Sequence, residues 1–247
     1  MLCKGMRIMN LDFKLIKFTN YAEELLKGNL YLNSLEYYRG IEKVIAGETV
    51  DRNTAINDYL EGSIASINKD DLEKIGMSDL YNAVGDALIG NVYLLSEGAK
   101  FLKVFCLYAF IFDDETKITF TPSPKLFQFG SKYAVIINDV EEFMKRIING
   151  LELQKDTFNI TSMQSGFVEY YDNDEKTKVL GPLHKVANFW WQHEFRMIFT
   201  QGNPDLEPVT LQIGDISDIA FRVDAETLIN SPNVVFNEFE FIPEADN

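Results

Sequence analysis

The chain has 247 residues and a mass of 28.3 kDa, enough for one large domain or two small ones. Hydrophobic residues make up 46% and aromatic residues 13%, so the chain can bury a substantial core and is not a disordered protein. The formal net charge of −15 disfavours general binding to nucleic-acid backbones or to an anionic membrane, because like charges repel at long range.

The sequence indicates a cytoplasmic protein. Its two cysteines cannot build a disulfide framework, and Cys106, inside an apolar run, is expected to be a buried thiol. No signal-peptide pattern follows the first ten residues. The longest apolar stretch, 101–112, is interrupted by Lys103 and is too short to span a bilayer, so we expect no membrane partner.

The first elements predict a strand, a short helix and a second strand. Residues 11–18 alternate between apolar and polar side chains, which is typical of a strand. Asn20 and Glu23 have the spacing of a capping box, which predicts that a helix begins there and covers 21–27. A second strand is predicted at 30–33.

The segment 36–62 is polar and predicts a long loop with some helix. It contains three candidate site residues, Arg52, Asp58 and Glu61. The local sequence around Asn57 and Asp58 is equally consistent with an ordinary turn, because such side chains readily bond to nearby backbone. The following elements are predicted as a strand at 62–67, helices at 69–76 and 78–90, and strands at 104–112 and 117–121.

The second half is also rich in strands. A strand at 133–137 leads into an amphipathic helix that is predicted to be capped by Asn138 and to run through Ile148. A hairpin is predicted from 166–171 and 177–180, joined by an acidic turn. The remaining elements are predicted as strands near 194–200, 208–213, 217–223 and 233–242 and a short helix at 224–229.

This order of elements predicts an α+β protein with mixed, largely antiparallel sheets and several short helices. The sequence shows no internal repeat, low-complexity tract or linker that would divide it. We therefore expect a loose N-terminus at 1–10, a single globular domain at 11–243, and a tail at 244–247.

Both histidines and both tryptophans lie within the ten residues 184–193. If the following segment 191–199 is a strand, its side chains alternate between two faces. Four residues then form a polar row with an indole at its end, while the other face is apolar and holds Trp191 and His193. The residues of the polar row are Trp190, Gln192, Glu194 and Arg196.

The polar row has the chemistry to bind a ribose, an amide or a phosphate. A carboxylate accepts from hydroxyls, a guanidinium binds anions, and an indole stacks on a flat ring. The alternative is purely structural: Glu194 and Arg196 pair with neighbouring strands, and His193 is a core residue. Both interpretations stay open on the sequence alone.

Patterns for several other kinds of site are missing from the sequence. The two histidines lie nine residues apart and the cysteines are distant, which does not make a zinc site. The chain has no glycine-rich phosphate loop and no nucleophile elbow. We therefore predict no metal.

Several segments together resemble a widespread, poorly characterised domain of bacteria and their phages. They are 18–33, Asn57-Asp-Tyr-Leu-Glu-Gly62, Val104-Phe-Cys106 and the ending Lys185…Trp191-Gln-His-Glu-Phe-Arg196. The ending is the most specific part, and Tyr59 departs from the proline usual in that family. The resemblance implies that the family-level positions are Asp58, Glu61, Lys185, Glu194 and Arg196.

The chain is also distantly similar to ADP-ribosyltransferase-like folds, which place Gln/Glu-x-Glu at the start of a late strand, as in Gln192-His-Glu194. This similarity implies NAD as a cofactor, Glu194 as the catalytic residue that holds the nicotinamide ribose, and an aromatic side chain stacked on nicotinamide. The first strand departs from the pattern, because Lys14 and Lys17 stand in place of the usual Arg or His.

Two hypotheses for the function follow. In the first, the protein is an NAD-using enzyme of ADP-ribosyltransferase-like type, with Glu194 catalytic and the pocket formed by Gln192, Trp190 or Trp191, with Arg196 and Lys185 in support. In the second, it is a non-catalytic protein of host–phage conflict that binds a nucleotide signal or a defence protein of the host.

Overall fold

The structure is a computed structural model that describes residues 13–44, 60–84, 90–111, 122–172, 176–204, 206–230, 234–236 and 241–243. The predicted site residues Arg52 and Asp58 lie outside these ranges. So do the predicted strand at 117–121 and the predicted terminal segments 1–10 and 244–247.

The described residues form fifteen strands. Their bounds are β1 Phe13–Thr19, β2 Asn29–Ser34, β3 Ser63–Ile67, β4 Val92–Leu95, β5 Leu102–Ile111, β6 Tyr133–Ile137, β7 Ile160–Phe167, β8 Glu169–Tyr171, β9 Lys178–Val179, β10 His184–Val186, β11 Glu194–Gln201, β12 Val209–Gln212, β13 Ala220–Asp224, β14 Val234–Phe236 and β15 Phe241–Pro243.

The helices are short apart from one. The α-helices are α1 Ala22–Leu26, α2 Leu35–Val44, α3 Ser78–Val84, α4 Val140–Phe158 and α5 Ala225–Asn230. Within the described residues, 3-10 helices cover Lys69–Asp71, Glu97–Phe101, Pro124–Phe129 and Ala187–Gln192. The prediction of an α+β fold with mixed, largely antiparallel sheets and several short helices is confirmed.

The largest sheet is built around β5. On one side, β5 pairs with β11 over its first seven residues, and β11 then pairs with β7. On the other side, β1 pairs with the C-terminal end of β5 and continues to β6 and β13, while β2 pairs with the N-terminal end and continues to β12. All of these pairs are antiparallel, and the parallel pair β8–β10 makes the fold mixed.

Different helices cover the two faces of this sheet. On one face, α1 and α4 bury an apolar cluster that includes Leu15, Phe105 and Phe143. The apolar stripe predicted for α4 is there, because Phe143, Met144 and Ile147 are all buried. The opposite face carries two smaller apolar clusters.

Two predicted helix caps are wrong. The side chain predicted to cap α1 makes tertiary hydrogen bonds instead, and α4 is capped by the residue after the predicted one. The Asn20 side chain does not cap α1, since it bonds to the backbone of Gly130 and Lys132 at 3.3 and 2.9 Å. The cap of α4 is Asp139, whose Oδ1 accepts from Glu142 N at 2.8 Å, and not Asn138. This helix also runs ten residues beyond the predicted end, to Phe158.

The predicted hairpin of 166–171 and 177–180 is wrong in its pairing. Instead, β8 pairs with β10 in parallel, and β9 pairs with β3. The alternation identified strands but carried no information about their partners. The predicted helix at 69–76 is also wrong. The structure has a 3-10 helix over Lys69–Asp71, and the Asn68 side chain caps it. Leu72 is the one fully buried residue of this segment, so the segment lacks the apolar stripe that a longer helix would pack against the core.

No helix among the described residues is long and apolar enough to cross a membrane.

Candidate ligand-binding pocket

The sheet opens where β1 and β2 diverge from β5. The β1 pairing reaches Tyr108, and the β2 pairing begins at Val104, so neither strand pairs with Cys106. The Cys106 carbonyl oxygen faces this gap and accepts a hydrogen bond from Lys17 Nζ at 2.6 Å. The Lys17 ammonium therefore donates to a backbone carbonyl that neither β1 nor β2 pairs with.

A cavity of about 250 Å³ lies over the gap, on the face between the two smaller apolar clusters. Strand alternation and register bring four of its lining residues together, since Tyr108 and Cys106 of β5 stand opposite Glu194 and Arg196 of β11. The described lining residues are Ile16, Lys17, Phe18, Leu35, Tyr38, Glu61, Val104, Cys106, Leu107, Tyr108, Phe129, Ser131, Lys185, Gln192, Glu194 and Arg196.

A buried network of charges forms one wall of the cavity. Lys185 Nζ donates to Gln192 Oε1 and to Glu194 Oε1, both at 2.7 Å. Arg196 Nε donates to Glu194 Oε2 at 2.6 Å. Through its two other nitrogens, Arg196 makes a bidentate pair with Glu61, at 2.6 and 3.0 Å. Both oxygens of each carboxylate are therefore engaged.

Backbone and hydroxyl groups hold this network in place. The Pro182 carbonyl accepts from Arg196 Nη1 at 2.8 Å, and the Tyr170 hydroxyl accepts from the backbone N–H of Glu194 at 2.9 Å. Arg39 Nε donates to the backbone carbonyl of Glu61 at 2.9 Å, which ties the network to α2. The network is thus fixed from three separate parts of the chain.

The charges shift the ionisation of the carboxylate at the centre. Arg196 and Lys185 outweigh the effect of burial, which alone would raise the pKa, and hold the pKa of Glu194 well below its usual range. The pKa of Arg196 is raised, because Glu194 and Glu61 outweigh the desolvation of the guanidinium. Glu194 is therefore a stable carboxylate and not a group that takes up a proton near neutral pH.

Aromatic rings form the other wall. Phe18 lies with its ring centroid 6.1 Å from that of Tyr108 and 6.3 Å from that of Phe129. These three rings belong to the described lining and offer an apolar surface against which a flat ring can pack.

Of the predicted site residues, the structure brings Glu61, Lys185, Gln192, Glu194 and Arg196 together. The two tryptophans are placed elsewhere. Trp190 is 59% exposed and is not part of the described lining, and Trp191 is buried in the apolar cluster with Ile16.

The prediction that the strand includes 191–193 is wrong, because β11 begins at Glu194. The prediction that His193 lies on the apolar face of this strand is therefore wrong too. Residues 187–192 form a 3-10 helix that ends at His193, whose φ of 40° is left-handed. The His193 side chain is exposed and contacts the rings of Trp190 and Tyr108, so it is not a core residue. Desolvation of the part of the ring that the neighbouring side chains cover lowers the pKa of the imidazole.

Four pocket residues were not predicted from the sequence, namely Lys17, Tyr38, Cys106 and Tyr108. Cys106 and Tyr108 lie two residues apart in β5 and so share a face, but only the register with β11 shows that this face meets Glu194. Burial raises the pKa of the Cys106 thiol to about 11, so the sulfur is a poor nucleophile.

The size of the cavity limits how much of an NAD molecule it could enclose. Sites that enclose drug-sized ligands run to about 300–1,000 Å³, and this cavity of about 250 Å³ would enclose only part of a dinucleotide. Both Glu194 oxygens are already bonded to cations. Among the described residues, no group of three or more His, Cys, Asp and Glu could hold a metal ion.

The chain matches no protein-family model, and it matches neither a curated protein nor a solved structure.

Proposed function

We propose that the protein is a non-catalytic binding protein whose pocket takes a ligand of nucleoside size, with a flat ring and hydroxyl groups. The observation that carries this proposal is the engagement of both Glu194 oxygens, by Lys185 and by Arg196. A carboxylate held in this way keeps lone pairs that accept from a ligand hydroxyl, but it does not exchange protons with a substrate near neutral pH.

The two walls of the pocket match the two parts of such a ligand. The surface of Phe18, Tyr108 and Phe129 supports packing of a base or another flat ring. The wall with Gln192 and Glu194 supports binding of a hydroxylated sugar. The volume of about 250 Å³ favours a mononucleotide or nucleoside over a dinucleotide.

The resemblance to a domain of bacteria and their phages supports a role in host–phage conflict. In this proposal the protein acts in the cytoplasm during host–phage conflict, and it binds a nucleotide signal. A protein that recognises a host defence protein is the alternative form of the same role, and a pull-down from host lysate tests it.

Calorimetric titration with nucleosides, their 5′-monophosphates and NAD⁺ tests the binding function. We expect the wild type to bind at least one of the nucleosides or monophosphates. Tyr38→Phe, which removes a lining hydroxyl but leaves the ion network intact, is expected to bind it more weakly. Glu152→Gln, at an exposed pair on α4, is the control. A wild type that binds none of these compounds contradicts the proposal.

The second candidate is the ADP-ribosyltransferase-like enzyme that uses NAD. It is favoured by one observation, the presence of Gln192 and Glu194 side by side in the lining. Incubation with labelled NAD⁺ and host lysate tests it. Transfer or hydrolysis that disappears in Glu194→Gln supports the enzyme and contradicts the binding protein.

A further inference from the structure

The pocket has an excess of positive charge inside a strongly acidic protein. Its described lining contains three cations, Lys17, Lys185 and Arg196, and two carboxylates, Glu61 and Glu194. Lys185 and Arg196 are within 3.0 Å of these carboxylates, so the four groups neutralise each other. The remaining charge of the described lining is that of Lys17.

Lys17 lies outside the hydrogen-bonded ion network, and Glu194 attracts its ammonium from a longer distance. In the part of the chain that the structure describes, its ammonium makes no ion pair, and its hydrogen bond goes to a neutral acceptor, the Cys106 carbonyl. It also lies 4.6 Å from the centre of the Phe105 ring. An ammonium has three donors, so the carbonyl leaves capacity for a ligand.

We propose that Lys17 is an anion subsite and that the ligand of this pocket carries a phosphoryl or carboxylate group which binds to its ammonium. This inference rests on the proposed binding function and narrows it from nucleoside-sized ligands in general to anionic ones. The anionic group lies over the gap between β1 and β5, where the ammonium is fixed.

Three physical arguments support this assignment. An anion is attracted to the ammonium by Coulomb's law in addition to the hydrogen bond, and this attraction is stronger where water is excluded, so the subsite gains more from an anion than from a neutral hydroxyl. Burial lowers the pKa of Lys17, which means that the charged form lacks solvation that an anion restores. Finally, the rest of the polar wall is neutralised internally and offers an anion no comparable site.

The test uses pairs of compounds that share a ring and differ in charge. Adenosine with its 5′-monophosphate, and guanosine with its 5′-monophosphate, probe the phosphoryl group. Nicotinamide with nicotinate probes the carboxylate. Each is titrated calorimetrically into the wild type, Lys17→Met and Lys17→Arg. Lys14→Met is the matched control, because Lys14 lies in the same strand and also bonds a backbone carbonyl, that of Asn138, but does not line the cavity.

We expect the wild type and Lys14→Met to bind the anionic member of at least one pair about tenfold or more tightly than the neutral member, a difference of about 1.4 kcal/mol. Lys17→Met is expected to lose this preference and keep the affinity for the neutral member, and Lys17→Arg to retain the preference.

The wild type alone can overturn the inference, so the test does not depend on the folding of a variant. Binding of both members of every pair with equal affinity overturns the anion subsite and leaves the binding function standing. Binding of no compound overturns both. A preference that persists in a folded Lys17→Met protein also overturns the subsite.

Discussion

At the scale of single residues, the central feature is the set of four charges Glu61, Lys185, Glu194 and Arg196, all at least 91% buried. Removing charges from water is costly, and their mutual attraction offsets the cost only when every hydrogen bond is made. Here both carboxylates are fully engaged, which explains how they persist beside an apolar core. The same engagement restricts what Glu194 can do chemically.

Arg196→Met is expected to destabilise the protein strongly, because it leaves the carboxylates of Glu61 and Glu194 buried with one cation between them. The expected loss is about 3–5 kcal/mol of unfolding free energy, measured by urea denaturation. Arg222→Met removes the same charge from an exposed pair with Glu23 and is expected to cost less than about 1 kcal/mol. Equal losses for the two variants would contradict the account.

Cys106 is expected to react slowly with thiol reagents, since burial raises the pKa of its thiol to about 11. In a Cys3→Ser background Cys106 is the remaining cysteine, and its labelling rate is expected to keep rising with pH up to about 11. A ligand in the pocket is expected to slow the labelling. A rate that reaches its plateau near pH 8 would show that the thiol is not in the described environment.

At the scale of elements, the chain forms the pocket through two local departures from regular structure. The first is the divergence of β1 and β2 from β5, which opens the gap at Cys106. The second is the left-handed residue His193, which ends a 3-10 helix and directs Glu194 into β11. Regular pairing at either place would close the site or turn its side chains away.

The turn between α1 and β2 requires glycine at position 28 because its φ is positive and because the backbone of Gly214 lies too close for a side chain. A matched pair of variants separates these two effects. Gly28 has a φ of 84°, and a Cβ there would lie 1.8 Å from the Gly214 carbonyl oxygen. Gly214 has a φ of 81° but open space around its Cβ position. Gly214→Ala is expected to cost about 1–2 kcal/mol from backbone strain alone.

Gly28→Ala is expected to cost clearly more, because the clash with backbone adds to the same strain. Thermal denaturation of both variants measures the difference. If the two melting temperatures fall equally, the close approach of Gly28 to Gly214 is contradicted.

The sequence predicted the strands and the site residues to different extents, for physical reasons. Alternation and apolar runs predicted β1, β5, β6 and β11 well, since burial of one face imposes a period of two. Glu194 and Arg196 were found from this same period, whereas Gln192 reaches the pocket from the 3-10 helix that precedes β11. Strand partners could not be predicted, as the hairpin shows, because they depend on contacts between distant segments.

The pocket residues outside that row could not be predicted for the same reason. Lys17 and Tyr38 line the same cavity as Glu194 only because of the sheet topology and the packing of α2, and neither lies in a local motif. The rarity of Trp and His drew attention to 184–193, but Trp191 fills a core and Trp190 is exposed. The rare residues therefore lie in a segment that contributes to the pocket, but the two tryptophans themselves are not in its described lining.

At the scale of the whole molecule, the buried charges link stability to pH. The pKa of Glu194 is depressed in the folded protein by Arg196 and Lys185, whereas in the unfolded chain it is near the usual value of about 4.3. The resulting stabilisation is therefore fully present above about pH 4.3 and is lost as the pH falls towards the folded value.

We expect the free energy of unfolding to fall with acidification below about pH 4.3, with Glu194 contributing up to about 1.4 kcal/mol per pH unit. Glu194→Gln lacks this contribution, so its profile is expected to be shallower in the acid range. Denaturant titrations from pH 7 to pH 2.5 measure both profiles. Parallel profiles would contradict the assignment of a depressed pKa to Glu194.

We propose that the pocket binds a nucleotide-like ligand without converting it. The most direct measurement is to incubate the protein with nucleosides, 5′-monophosphates and NAD⁺, separate bound from free compound, and identify both by mass spectrometry. The account predicts that a nucleoside or monophosphate is bound and recovered intact, with no nicotinamide released from NAD⁺. Release of nicotinamide by the wild type but not by Glu194→Gln would contradict it.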